Sequence, residues 1–190
     1  MANDWPRSGE ILRHYQLMIS VLDEIVLIAI REPTRFPDFQ FLPKPEIRAD
    51  VARRRDELDQ QIVLMLTASF EAAFQVDYRD RVQRRLKDDI SRGMRDLYKK
   101  AGKRRPGRNR ATLEEILDIW KEITGETRSI GGLNQLVQYR HWLAHGRYWT
   151  QKSGLPSVDP LQASQRGRAV FHALRDHNVL FAEVADELKS

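Results

Sequence analysis

Between residues 62 and 74 the chain is apolar on nearly every side of a helical wheel, and this limits the fold more than any other feature. The stretch lies within a longer helical region, about residues 45–101. There Leu58, Ile62, Met65, Ser69, Ala72 and Val76 recur in steps of three and four. Such steps put side chains on one stripe of an α-helix. A helix that is apolar all round should be the most enclosed element of its domain. No segment shows a strong strand pattern, so the chain is expected to be all-α.

Glycine and proline divide the remainder into further helical periods. Ile11, Tyr15, Met18, Leu22, Ile25 and Ala29 mark a first helix over about Ser8–Arg31, with Ser8 as its N-cap. Residues 32–46 contain four prolines and three phenylalanines. Proline blocks a continued helix, which predicts a loop with Phe36, Phe39 and Phe41 as apolar anchors, packed on the bundle or covering a partner surface. Gly93 marks a bend or break in the long second region. Residues 77–101 are so charged that they are expected to protrude or lie on the surface. Thr112-Leu113-Glu114-Glu115 reads as a capping box opening a helix to about Thr124, with Leu113, Ile116, Leu117, Trp120 and Ile123 inward and Gly125 at its end. A further helix covers roughly residues 128–145, with Gly146 placed as a left-handed cap. After a loop to Val158, Asp159-Pro160 opens a last helix reaching Leu188 through Val170, Leu174, His177, Phe181 and Val184. No internal repeat interrupts this order, and 190 residues fit one domain over 1–190.

The chain has no cysteine, which excludes disulfides, thiolate nucleophiles and cysteine-ligated metal. Its start, Met1-Ala2-Asn3-Asp4-Trp5-Pro6, lacks the basic-then-apolar order of a signal peptide. The longest apolar run, residues 25–30, is far shorter than the ~20 residues that span a bilayer. A cytoplasmic protein with no membrane partner is expected. The net charge of +5 is concentrated in residues 99–110, which hold seven basic residues and no acidic one. Lys103, Arg104, Arg105, Arg108 and Arg110 of that segment are candidates for steering a polyanion such as RNA. A solvated connector is the alternative reading.

The chemistry concentrates in Arg140-His141-Trp142-Leu143-Ala144-His145-Gly146. At ~100° per residue, Leu133, Leu136, Val137, Leu143 and Ala144 define an apolar arc with Arg140 near its centre and His141 and His145 together at its edge. An inward arginine needs an anionic partner. That partner is either a carboxylate, with Glu71 of Phe70-Glu71-Ala72-Ala73-Phe74 as the candidate, or a bound phosphate. His145 falls in the last helical turn, where the macrodipole favours imidazolium, and such a histidine can act as general acid or base. The i, i+4 histidines also fit a metal-ligand pair. However, His-Trp-Leu-Ala-His lacks the glutamate of the zinc-protease motif, and a third ligand would have to come from Glu71, His14, His172 or His177. Tyr139, Trp142, Tyr148 and Trp149 are either stacking surfaces for bases or core and loop anchors. His177, on the last helix's apolar stripe, fits packing or a dimer contact. Glycine-rich phosphate loops, nucleophilic serine motifs and two-metal acid spacings are absent, and no cofactor is expected.

Arg140-His141-x-x-x-His145 resembles the signature of the HEPN superfamily, in which arginine, a polar residue and three variable residues precede histidine. The resemblance extends over the helical chain, about residues 8–190, including the upstream Phe-Glu helix. It implies an antiparallel helical bundle that forms a homodimer and brings two motif copies into one cleft. Active members are metal-independent endoribonucleases of toxin–antitoxin, phage-defence and RNA-processing systems. By that resemblance Arg140 binds the scissile phosphate, His145 handles protons and His141 orients the pair, with Glu71 auxiliary. Cleavage would leave 2′,3′-cyclic phosphate and 5′-hydroxyl ends. Here histidine follows the arginine, where asparagine or aspartate is common. Other members bind RNA, a nucleotide or a partner protein without cutting, so a scaffold is the alternative function. An antitoxin or other protein partner fits either.

Overall fold

A computed structural model describes residues 7–104, 111–145 and 158–188. Those residues form an all-α bundle of seven helices with no strand. They are α1 (Ser8–Arg31), α2 (Lys44–Arg84), α3 (Asp89–Arg104), α4 (Leu113–Thr124), α5 (Thr127–Ala144), α6 (Pro160–Leu174) and α7 (Val179–Glu187).

The long α2 is the axis of the bundle. Its apolar middle is enclosed as the wheel requires: Ile62, Val63, Leu66, Phe70, Ala73 and Phe74 are all buried. Met65, on the same sequence stripe, is 40% exposed, because the covering helices sit over the Phe70–Phe74 side instead. There Phe74 meets Phe171 of α6 at 5.3 Å and Phe181 of α7 at 4.8 Å between ring centroids. Trp120 of α4 closes the cluster 5.4 Å from Phe181. These rings give one continuous core from four helices.

α1 and the first half of α2 form a hairpin with its own small core of Ala29, Phe39, Ile47 and Val51. Two short 3₁₀ turns, Pro33–Arg35 and Pro37–Phe39, replace the expected irregular loop. Of its three phenylalanines, Phe39 is the buried anchor, Phe36 packs on it at 5.9 Å, and Phe41 is 87% exposed. The N-cap of α1 is Arg7 rather than Ser8. Ser8 is inside the helix, buried, with its hydroxyl 3.2 Å from that of Ser69.

Two helix breaks depart from the periodicity. The long region stops at Arg85, which takes a left-handed conformation (φ 53°), not at Gly93. Asp88 then opens α3, its carboxylate accepting the backbone N–H of Ser91 at 3.0 Å and its hydroxyl at 2.7 Å. Gly93 lies within α3, where a Cβ would come 2.9 Å from Ile119 of α4, so it permits close helix packing. The last region divides as well: a 3₁₀ turn covers Arg175–His177, and Asn178 caps α7 by accepting the N–H of Leu180 at 2.9 Å. His177 is thereby taken off the helical stripe and exposed, its ring edge-on to Trp120.

Residues 77–101 do not protrude. Asp77, Tyr78, Arg81, Ile90, Met94, Leu97 and Ala101 are buried, while the charges between them face solvent. The decisive group is Arg81. Its guanidinium donates to Asp77 at 2.7 Å, Asp88 at 3.0 Å, the Ser91 hydroxyl at 3.2 Å and the His177 carbonyl at 2.7 Å. Burial pushes the Asp77 carboxyl up against the opposing pull of Arg81 and Asn178. Burial acts on Asp88 in the same sense, but the Ser91 hydrogen bonds and Arg81 hold it below the usual carboxylate range. In α4, the expected capping box is present, with Thr112 and Glu115 bonding reciprocally, and Gly125 ends the helix at φ 75°. Ile123 alone of the expected inner face is substantially exposed.

Gly167 of α6 sits against the Phe70 ring, where a Cβ would fall 2.2 Å from Cζ. Alanine for glycine inside a helix ordinarily gains about 1 kcal/mol. Here overpacking should outweigh that gain, and Gly167→Ala is expected to lose about 1–3 kcal/mol in urea unfolding. An unchanged or raised midpoint would show that α2 and α6 separate freely.

Candidate functional site

An open cleft of about 740 Å³ lies where α2, α3, α4 and α5 meet. One wall is a stripe of α2: Glu71, Gln75, Tyr78 and Val82, in steps of four, three and four. This stripe is offset by one residue from Phe70, Phe74, Asp77 and Arg81, which face the core. One helix therefore serves the core with one face and the cleft with its neighbour. Val137 and His141, one turn apart, bring α5 into the opposite wall. Tyr98 of α3 and residues 111–114 at the start of α4 complete it. The Gln75 side-chain amide donates to the Ala111 carbonyl at 3.3 Å, tying the entry to α4 against α2.

Of the motif residues, His141 lines this cleft, Arg140 pairs with Glu71 of its lining and His145 ends α5. Arg140 is not buried in the centre of an apolar arc; its side chain is 34% exposed. Its Nη2 lies 3.9 Å from Oε2 of Glu71, itself 33% exposed. Burial on α5 ends at Tyr139, Leu143 is half-buried, and Ala144 and His145 are exposed. The arc drawn from the sequence fades because the last turn of α5 passes beyond the helices that cover Leu133, Leu136 and Val137. The Glu71 partner expected for Arg140 is thus present, but in a long and half-solvated pair. Such a pair holds the guanidinium weakly, for about 0–1 kcal/mol, and leaves it able to take a different anion. His141 is half-buried, lining the cleft with Glu71. His145 is the C-cap of α5, its backbone N–H donating to the His141 carbonyl at 3.1 Å.

Other candidates are placed elsewhere. Tyr139 is buried, packing on Trp142 at 5.6 Å between centroids, so it is a core anchor and not a stacking surface. Lys103 is exposed near the end of α3. The side chain of Arg104, together with Arg105, Arg108, Arg110, Gly146, Tyr148 and Trp149, lies outside the described residues. Among the described residues no three histidine, aspartate or glutamate side chains converge as a metal site, so Glu71, His14, His172 and His177 supply no third ligand to His141 and His145. No described helix is long and apolar enough to cross a membrane.

Tyr78, Gln75, Tyr98 and Arg79, which carry no motif in the sequence, also line the cleft. The available signal was the second stripe on α2, which the charges around it obscured. Tyr78 is the most constrained of them, 3% exposed, its hydroxyl without a hydrogen-bond partner among the described residues. Burial, with Tyr98 and Glu115, pushes its phenol up to about 12, so it is neutral at physiological pH.

Comparison with protein-family models, curated proteins and solved structures returned no match.

Because the Arg140–Glu71 pair is long and half-exposed, Glu71→Gln should change unfolding free energy by no more than about 1 kcal/mol. A loss of several kcal/mol in denaturant titration would instead mark the pair as a structural tie.

Proposed function

We propose that the chain is a metal-independent endoribonuclease acting at the lip of this cleft. The supporting observation is the position of Arg140: a half-exposed guanidinium loosely paired with Glu71, which lines the same open groove as His141. A phosphodiester reaching that lip exchanges one anionic partner for another, and arginine's planar donor fork fits phosphate.

The reaction is an in-line displacement within the substrate. The ribose 2′-oxygen attacks the adjacent phosphorus while its proton passes to an imidazole acting as base. The bond from phosphorus to the 5′-oxygen breaks, and that oxygen takes up a proton from an imidazolium. Arg140 stabilises the charge that builds on the phosphoryl oxygens. His145 is assigned the proton transfers and His141 the positioning of the pair. In a homodimer two motif segments would face each other, and the exposed end of α5 could supply His145 to the linkage held by the second copy. A toxin or phage-defence effector restrained by a protein partner fits this chemistry.

The basic cluster begins in the last turns of α3 with Lys99, Lys100, Lys103 and Arg104 and continues in the sequence before α4, and both helices line the cleft, through Tyr98 and Leu113. That placement supports its role in drawing RNA toward the lip.

In chelator, the purified protein should cut RNA to 2′,3′-cyclic phosphate and 5′-hydroxyl ends and leave DNA intact. Arg140→Ala and His145→Ala should each lower the rate by about 10²-fold or more while remaining folded. Undiminished cleavage in both variants would sink the assignment. RNA binding without product at any protein concentration would favour the scaffold reading. Separately, neutralising the basic residues of 99–110 should weaken RNA binding and flatten its salt dependence by roughly 0.7 in log–log slope per lost phosphate contact. An unchanged slope would return the segment to a connector.

A further inference from the structure

The hydroxyl of Tyr78, a residue that lines the cleft, is buried and without a partner among the described residues. Buried hydroxyls are nearly always hydrogen-bonded, since leaving one unserved forfeits its interaction with water. We propose that the cleft is a nucleobase-binding subsite in which the Tyr78 hydroxyl bonds an edge of the base next to the scissile phosphate. The inference rests on the RNA reading for where the phosphate lies.

Three features select a base over other ligands. The cleft's volume, about 740 Å³, falls within the ~300–1,000 Å³ of small-molecule sites, so a nucleoside can enter. Its inner surface mixes apolar Val82, Leu113 and Val137 with neutral hydrogen-bonding groups, Tyr78 and Gln75. Gln75 uses its amide N–H₂ on Ala111, and its carbonyl remains an acceptor for a ring or exocyclic N–H. Glu71, Glu114 and Arg79 also line the cleft, two carboxylates against one guanidinium, so its lining offers a phosphate no net attraction. A flat, uncharged base satisfies the interior, while the phosphate stays outside with Arg140. The hydroxyl can donate or accept, so Tyr78 supplies hydrogen bonding without dictating a purine or a pyrimidine.

Calorimetric titration of the full chain in chelator tests this, with the four 3′-mononucleotides as ligands and ribose 5-phosphate as the baseless control. At least one mononucleotide should bind tenfold or more tightly than ribose 5-phosphate. Tyr78→Phe should weaken that nucleotide about five- to tenfold and leave ribose 5-phosphate unchanged. The same variant should keep or raise the thermal midpoint of the ligand-free protein, because it removes an unpaired hydroxyl and retains the ring. Equal affinity with and without a base, no nucleotide binding, or an indifferent Tyr78→Phe variant would overturn the subsite. So would a lowered midpoint, which would mean the hydroxyl already serves the fold. A protein that binds the base but never cuts RNA keeps the subsite and removes the cleavage reading. One that cuts RNA, with nucleotide affinity untouched by Tyr78→Phe, does the reverse.

Discussion

A single guanidinium, that of Arg81, holds the helices in register. A buried charge is tolerated only when hydrogen bonds replace its water, and Arg81 is met by two carboxylates, a hydroxyl and a backbone carbonyl. Its Cζ also lies over the Trp120 ring, 5.0 Å from the centroid. These partners come from α2, the α2–α3 junction, α3, α4 and the turn before α7. Removing one member of such a set typically costs about 3–5 kcal/mol, whereas exchanging the whole set for apolar groups is often neutral. The network is therefore best understood as a device for fixing geometry: it dictates where α2 stops, how α3 returns and where α7 begins.

That geometry makes the cleft. With α3 and α4 fixed against the core face of α2, the adjacent face carrying Glu71, Gln75, Tyr78 and Val82 is left open between them. Asp77 and Tyr78 are sequence neighbours with opposite duties. Asp77 binds Arg81 and the Asn178 amide, while the Tyr78 ring fills the wall of the cleft. α5 then brings His141 to the same opening and Arg140 to within 3.9 Å of Glu71. The motif's accessibility follows from α5 running past its cover, which is also why the Arg140–Glu71 pair stays long and partly wet.

Local signals were readable where local chemistry sets the structure. The extent of α1, the Thr112–Glu115 box, the Gly125 stop and the Asp159-Pro160 start all involve a residue bonding its own neighbours or a backbone angle that glycine favours. The breaks at Arg85 and Asn178 escaped because no glycine or proline marks them. Their stability comes from Arg81 bonding across 7 and 96 residues of sequence. Charge misled for the same reason. Asp77 and Arg81 look like an exposed i, i+4 pair, yet they continue the Phe70–Phe74 stripe into the interior.

The helical class and the clustering of one arginine and two histidines were already written in the order of residues, since a 3.6-residue period and a six-residue motif are local properties. Which side of each helix would be covered was not, because a wheel gives directions without saying what lies in them. Packing alone buried Arg81, left Arg140 in partial contact with water, and enclosed the Tyr78 hydroxyl beside an open cleft. Those outcomes depend on neighbours distant in the chain, whose positions follow from the summed burial of the whole core.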